Sequence, residues 1–136
     1  MSPESIAEND LGHQVVELLP DVVAVYLFGS YADGTSTADS DVDLAVLGPR
    51  PLPGEALIVA REALADRLRR DVDLIDLRRA STVLRAQVVS TSRLLLDLDS
   101  DARQRFETWV YSAYARLNEE RRDILEQIRR EGRIHG

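Results

Sequence analysis

Two short apolar segments on either side of a polar stretch constrain the fold most. Residues 22–28 form a continuous apolar run rich in β-branched and aromatic side chains and end at Gly29, a pattern typical of a buried strand. Residues 41–47 begin Asp-Val-Asp-Leu and stay apolar up to Gly48, which predicts a second strand with a polar start. Residues 30–40 are rich in Gly, Ser, Thr and Asp, so we expect a loop there that could bind a ligand.

The rest of the chain alternates helical and strand patterns. The predicted elements are a helix over residues 5–19, the strands at 22–28 and 41–47, a helix over 56–70, a strand over 71–77, a helix over 82–90, a strand over 93–98 and a long helix over about 102–130. This order favours an α/β (α+β) fold, a mixed four-stranded sheet with flanking helices and a long C-terminal helix. A length of 136 residues predicts a single domain over residues 1–136.

Composition argues against several classes of function. The net charge of -7 disfavours a nucleic-acid substrate, because surfaces that follow a phosphate backbone need clustered basic side chains. The chain has no Cys, and no apolar run reaches the roughly 18 residues of a membrane span. The start, Met-Ser-Pro-Glu-Ser, lacks the regions of a signal peptide, so we expect the cytoplasm. All 17 basic residues are Arg, so any side-chain clamp on a phosphate would be guanidinium.

Gly29 and Ser30, at the end of the first predicted strand, could hold a phosphate. Gly29 has no Cβ, so the backbone can turn sharply there and approach a phosphate closely. Ser30 can offer its N–H and its hydroxyl group. We therefore predict that these two residues bind a nucleotide.

Three aspartates are predicted to form a metal site. Asp41 and Asp43 are two apart on a strand, so their carboxylates should project from one face about 6.6 Å apart. A third carboxylate on a neighbouring strand would complete a site for two Mg²⁺ ions about 4 Å apart, an arrangement that serves phosphoryl transfer. Asp73 is the predicted third ligand and could accept the proton of an acceptor hydroxyl. Asp71 lies at the mouth of its strand, and Asp76 has the opposite parity and should face the other side.

Other polar residues have a simpler structural interpretation. A single Asp-x-Asp pair is usually a solvated strand end, and this is our interpretation of the pair at 97/99. The pair at 41/43 differs, because Gly-Ser precedes it by ten residues and a third Asp follows on a later strand. His13 is interpreted as a helix residue rather than a ligand, while Tyr31 could pack beneath the loop or stack on a base.

The last helix and several arginines leave alternatives open. The charged stretch at 118–123 interrupts an apolar stripe, most of which should be core. Beyond it the helix could outrun a small domain and meet a partner protein. The stripe comprises Phe106, Trp109, Val110, Ala113 and Leu117 before the interruption and Ile124, Leu125, Ile128 and Ile134 after it. Several arginines could either complement the dipole of a helix or bind a phosphate or the acceptor, and the sequence does not decide between these roles. They are Arg67, Arg69, Arg70, Arg85 and Arg93.

These motifs resemble a known family. Gly29-Ser30, ten residues and then Asp41-Val42-Asp43 resemble the Gly-Ser-x10-Asp-x-Asp signature of the polymerase beta nucleotidyltransferase superfamily. The short chain, Val-Asp-Leu at 72–74, and the tail Arg-Leu-Asn-Glu-Glu-Arg-Arg followed by Gly-Arg-Ile-His-Gly resemble the MNT-type (minimal nucleotidyltransferase) antitoxins of HEPN/MNT toxin-antitoxin pairs.

The resemblance implies an activity and a partner. An MNT antitoxin would use Mg²⁺ to transfer AMP from ATP to a tyrosine of a HEPN-domain ribonuclease toxin, which it would also bind, and the two proteins could form an oligomer. Gly29 and Ser30 would contact the triphosphate, Asp41 and Asp43 would bind metal, and Asp73 would be the third ligand and base. The ribonuclease motif of HEPN toxins, Arg, four to six residues, His, any residue, Tyr, is absent, so the chain resembles the transferase partner.

Two other functions remain open at this point. One is an enzyme of the same chemistry that modifies a small molecule such as an aminoglycoside, although 136 residues leave no second domain to build an acceptor pocket. The other is an antitoxin that only binds its toxin and retains the transferase fold as a scaffold, since a fold can persist without turnover.

Overall fold

A mixed four-stranded β-sheet forms the centre of the molecule. The computed structural model describes residues 8–29 and 41–135. The elements in this part of the chain are α1 (Glu8–Leu18), β1 (Ala24–Phe28), β2 (Val42–Leu47), α2 (Gly54–Leu68), β3 (Val72–Asp76), α3 (Thr82–Thr91), β4 (Arg93–Asp97) and α4 (Ser100–His135). Their order and type are those predicted, which confirms the predicted fold class.

The strands lie in the order β3-β2-β1-β4. β1 runs antiparallel to β2 and β4, whereas β2 and β3 are parallel. Phe28 pairs with Asp43 at one end of the sheet, and Ala24 pairs with Asp97 at the other. We call the first the carboxylate end, because Asp43 and Asp73 lie there near the starts of β2 and β3. We call the second the arginine end, because Arg79 and Arg103 pair with carboxylates there.

Each face of the sheet carries its own apolar layer, because side chains alternate along a strand. The first face packs against α1 and α2, and its buried side chains include Leu11, Val15, Val25, Val42, Leu44, Val46, Leu64 and Leu74. The second face packs against α3 and α4, and its buried side chains include Tyr26, Ala45, Leu47, Leu77, Val88, Phe106 and Val110. Asp43 and Asp73 have the parity of the second face. Both carboxylates therefore lie on the side of the sheet that packs against α3 and α4.

The arginine end is closed by hydrogen bonds to one buried carboxylate. Asp76 is only 4% exposed and has the opposite parity to Asp73, as predicted. Its Oδ2 accepts the Leu52 N–H at 2.8 Å, and its Oδ1 accepts the Arg78 N–H at 3.0 Å. Arg79 approaches the same carboxylate at 3.6 Å. Asp76 thus joins the loops that follow β2 and β3.

The pair Asp97 and Asp99 is structural, which agrees with its interpretation as a strand end. Arg103 donates from Nε to Asp97 at 2.9 Å, and Ser100 donates its hydroxyl to the same carboxylate at 2.8 Å. Asp99 accepts the Ala102 N–H at 3.1 Å and so caps the start of α4. Both carboxylates serve the turn between β4 and α4.

Helix α4 crosses the second face from the arginine end towards the carboxylate end. Near its start Arg103 bonds to Asp97, and one turn later Glu107 accepts the Tyr26 hydroxyl at 3.0 Å. Tyr114 then packs beside the second-face layer. The helix starts two residues earlier and extends five residues further than predicted. No helix in residues 8–29 and 41–135 is long and apolar enough to cross a membrane.

The prediction that most of the apolar stripe in the last helix is core holds only in part. Phe106 and Val110 are buried, but Trp109 is 52% exposed because α4 presents only one side to the sheet. Its ring lies 5.0 Å from the Arg85 guanidinium. A helical stripe predicted from spacing is broader than the face that the sheet can cover.

Candidate active site

Asp43 and Asp73 stand side by side at the carboxylate end. They are register partners on the adjacent parallel strands β2 and β3, so their backbones lie about 4.8 Å apart. Asp43 is half-buried and Asp73 is exposed. β3 is an edge strand of the sheet, which leaves Asp73 open to a large acceptor. The sheet register therefore brings together the two carboxylates predicted from separate parts of the sequence.

Asp41 completes the cluster from just outside the sheet. It immediately precedes β2, rather than lying in the strand as predicted, and its side chain is exposed. Burial, then the negative charge of Asp73 and then that of Asp41 raise the pKa of Asp43 above its usual range. Asp73 and Asp41 are therefore both close enough to Asp43 to repel its negative charge.

Gly29 lies against the same carboxylate. Its φ of +74° is in the left-handed region, which side chains other than Gly rarely adopt. A Cβ at this position would collide with the Asp43 carboxylate. The missing side chain thus lets the backbone leave β1 directly above Asp43, as a phosphate-binding turn would require. Ser30 and Tyr31 lie outside the described residues, as does the rest of the predicted loop 30–40.

The donor chemistry of the cluster fits a divalent cation. Carboxylate oxygens are the ligands that Mg²⁺ prefers, and a cation would relieve the repulsion that raises the pKa of Asp43. Within residues 8–29 and 41–135 no three acidic or histidine side chains form a ready-made ligand set for one ion. Because Mg²⁺ usually keeps several waters and is completed by substrate phosphates, two carboxylates and a triphosphate suffice to hold it.

The arginines with open roles occupy different places. Arg67 pairs with Glu17 across the surface at 3.5 Å, and Arg69 ends α2 in the left-handed conformation. Arg85 lies near the arginine end, where it donates to the carbonyl of Leu77 at 2.6 Å. These three serve the fold. Arg93 instead starts β4 at the carboxylate end.

Arg70 is the fifth of these arginines. It follows the left-handed residue that ends α2 and directly precedes Asp71 at the carboxylate end. Its N–H donates to the Ala65 carbonyl at 3.3 Å, so its backbone closes the helix. Its position before β3 brings a guanidinium group to the end of the sheet that carries the acidic cluster.

A groove on the second face of the sheet was not predicted from the sequence. It has a volume of about 550 Å³ and runs between α3 and α4, lined by Val83, Ala86, Gln87, Ser90, Tyr111, Tyr114, Ala115 and Asn118. Tyr114 packs against the same layer as Phe28 and Ile75, which are neighbours of Asp43 and Asp73 in the sheet. No sequence motif signals this groove, because it depends on how two helices pack together.

Comparison with known proteins identifies this arrangement. The sequence matches the family model described as polymerase beta, nucleotidyltransferase over residues 13–101, which include Gly29, Asp41, Asp43 and Asp73. The chain belongs to the polymerase beta nucleotidyltransferase family. This nucleotidyltransferase is 37% identical over 125 residues to the protein adenylyltransferase MntA of Shewanella oneidensis, an alignment that covers 92% of this chain and 89% of MntA.

Solved structures resemble the nucleotidyltransferase over almost its whole length. A toxin-antitoxin structure with AMP-PNP superposes with a TM-score of 0.79 at 37% identity and covers 90% of this chain and 98% of that one. A chain of the solved complex between an MNT antitoxin and a tri-AMPylated HEPN toxin from Shewanella oneidensis matches with a TM-score of 0.72 at 35% identity, and the match covers 89% of this chain and 94% of that one. The resemblance to MNT antitoxins is thereby confirmed.

Proposed function

We propose that this chain is a Mg²⁺-dependent nucleotidyltransferase antitoxin that transfers AMP from ATP to a tyrosine of a HEPN-domain toxin and thereby neutralises it. The observation that carries the proposal is the in-register pair Asp43 and Asp73, with Asp41 and the left-handed Gly29 beside it. Relatives named for protein adenylylation, and solved as complexes with an AMPylated HEPN toxin, supply the acceptor.

The reaction is an in-line displacement at the α-phosphorus of ATP. The tyrosine oxygen forms a bond to that phosphorus, the bond from the phosphorus to the oxygen bridging to the β-phosphate breaks, and pyrophosphate leaves. The hydroxyl proton passes to the exposed carboxylate of Asp73, which is the proposed base. Asp43 and Asp41 would hold Mg²⁺, which would bind the triphosphate.

Two Mg²⁺ ions are proposed at this site, bound by Asp41, Asp43 and Asp73. When bound, they would neutralise charge on the attacking and leaving oxygens. Gly29 and Ser30 would position the triphosphate through the backbone turn. The half-buried setting of Asp43 keeps its carboxylate aimed at the nucleotide rather than at solvent.

We also propose that the chain forms a single domain and acts in one cellular compartment. Residues 1–136 act as a single nucleotidyltransferase domain, in which the long helix α4 completes the second face of the sheet. Because the reaction consumes ATP, the cytoplasm is the proposed location. Both statements rest on the proposed activity.

The first test is transfer of AMP to the toxin. The chain and its Asp41→Asn/Asp43→Asn variant are incubated with Mg²⁺, ATP and the purified HEPN-domain partner, which is then weighed by intact mass spectrometry. We expect mass gains in AMP units with the natural chain and a rate at least about a thousandfold lower with the variant. Glu62→Gln/Asp66→Asn removes two negative charges from exposed positions of α2 and is the matched control.

Two outcomes would contradict parts of the proposal. Equal transfer by the Asp41→Asn/Asp43→Asn variant would remove these carboxylates from the reaction. A HEPN protein that gains no mass, but is bound and silenced by the natural chain, would instead identify an antitoxin that acts by binding alone.

A further inference from the structure

The second half of α4 leaves the domain at the carboxylate end. Tyr114 still packs on the second-face layer and Asn118 lines the groove with α3, but every side chain at 118–132 is exposed. Because the helix crosses the sheet from the arginine end, this part, which we call the overhang, projects past Asp43 and Asp73. At 1.5 Å per residue, residues 119–135 extend it by roughly 25 Å.

The overhang continues the core-facing side of the helix. Phe106 and Val110 are buried in the second-face layer, and Leu117, Ile124 and Ile128 occur at the same phase of the helical period. Ile124, Leu125 and Ile128 are 57%, 60% and 58% exposed. We call these three residues the stripe. Among the described residues nothing covers the stripe, although its phase is the one that α4 buries elsewhere.

We propose that the stripe is a docking surface for the protein that accepts AMP, which would be held against α4 with its acceptor side chain at Asp43 and Asp73. This inference rests on the proposed function. A partner seated on the sheet-facing side of the overhang lies beyond the carboxylate end, where Asp73 on the edge strand is exposed to it. One surface thus binds the acceptor and directs it to the site of transfer.

A second copy of the chain is a poorer occupant. The three side chains together expose on the order of 300 Å², whereas a stable pair needs about 800 Å² from each partner. The chain carries a net charge of -7, so two copies repel each other. An acceptor that also covers the carboxylate end supplies the remaining area.

The test measures toxin binding by calorimetry in the Asp41→Asn/Asp43→Asn background, in which transfer is blocked. We expect Ile124→Ala/Ile128→Ala to raise Kd by at least about tenfold. The matched control, Glu119→Ala/Arg122→Ala, alters exposed residues on the opposite side of the same helix with no net change in charge. It should bind within about twofold of the unaltered background. Alanine preserves helix propensity in both variants.

Transfer by the otherwise natural chain separates this inference from the proposed function. With the toxin below Kd, the stripe variant should modify it at least about tenfold more slowly, and a saturating toxin concentration should restore the rate. Unchanged binding by the stripe variant overturns the docking surface, even where transfer is seen. Absence of transfer by the natural chain overturns the proposed function. The comparison of toxin binding between the stripe variant and its control still decides whether the stripe is a docking surface.

Two further measurements assign other occupants. A natural chain that sediments as a dimer, with a monomeric stripe variant, would identify the stripe as a self-association surface and overturn the inference. A stripe variant with a lower free energy of unfolding and unchanged toxin binding would mean that the stripe packs within the chain itself, and would likewise overturn the inference.

Discussion

The two ends of the central sheet treat their carboxylates in opposite ways. At the arginine end, Asp76 and Asp97 are each met by a guanidinium group, from Arg79 and Arg103. At the carboxylate end, Asp43 faces the negative charges of Asp73 and Asp41, and burial and this repulsion raise its pKa. Both ends belong to the same four strands, so the fold alone does not explain why their carboxylates differ. The paired carboxylates stabilise the loops, whereas the negative charges that Asp43 faces at the carboxylate end favour the proposed cation site.

Replacing Asp73 should have the largest effect. Asp73→Asn removes a proposed metal ligand that is also the proposed base, so the rate of AMP transfer should fall by roughly a thousandfold. The free energy of unfolding should stay within about 0.5 kcal/mol, because the side chain is exposed. Single-turnover rates and urea unfolding measure the two effects.

Asp71→Asn is the matched control for that substitution. Asp71 precedes the same strand and is exposed, but its charge is not among those that raise the pKa of Asp43. We expect its transfer rate to stay within about threefold of the natural chain. An equal loss of transfer rate in both variants would show that the rate depends on negative charge at the start of β3 in general, and not on Asp73 in particular.

At the arginine end the loss should appear in stability instead. Asp76→Ala leaves the Leu52 and Arg78 N–H groups without their acceptor and Arg79 without its ion pair. The free energy of unfolding should fall by roughly 3 kcal/mol. Asp66→Ala, at an exposed position of α2, should change it by less than about 0.5 kcal/mol.

Activity decides whether the two ends are separate in function. Below its unfolding transition, Asp76→Ala should transfer AMP at a rate within about threefold of the natural chain, measured at a temperature where it is fully folded. A catalytic loss as large as that of Asp73→Asn would mean that the arginine end is coupled to the site, and the contrast between the ends would fail.

The sequence predicts the site better than its surroundings, for physical reasons. Strand parity separated Asp73 from Asp76, and the parallel pairing of β2 and β3 then placed Asp73 beside Asp43. The order and type of the elements followed from periodicity. What the sequence did not predict depends on packing between distant segments, which short-range patterns do not encode.

Two particular residues illustrate that limit. Trp109 follows the helical spacing of the buried residues Phe106 and Val110, but it is half exposed because only one side of α4 faces the sheet. Asp41 shares the Asp-x-Asp pattern with Asp43, but lies before β2 rather than in it. In both cases the pattern gave the correct element and left the side chain's surroundings to tertiary structure.

The smallest expected effect is on the pH dependence of stability, and it has opposite signs at the two ends. A raised pKa means that the ionised form of Asp43 destabilises the fold, so stability falls as pH rises from about 4, the usual value, through the raised one. Asp43→Asn should therefore be more stable than the natural chain at pH 7, with a difference that shrinks towards pH 4.

Asp97 provides the opposite sign at the arginine end. Burial alone would raise the pKa of Asp97, but hydrogen bonds from Ser100 and Arg103 outweigh it and lower the pKa. Its stabilisation is present above the usual value of about 3.9 and is lost as pH falls through the lowered one. Asp97→Asn should thus be less stable than the natural chain at pH 7. Urea unfolding of the natural chain and both variants between about pH 2 and pH 7 covers both ranges. Stability differences of the same sign at pH 7 would show that the two ends are electrostatically alike.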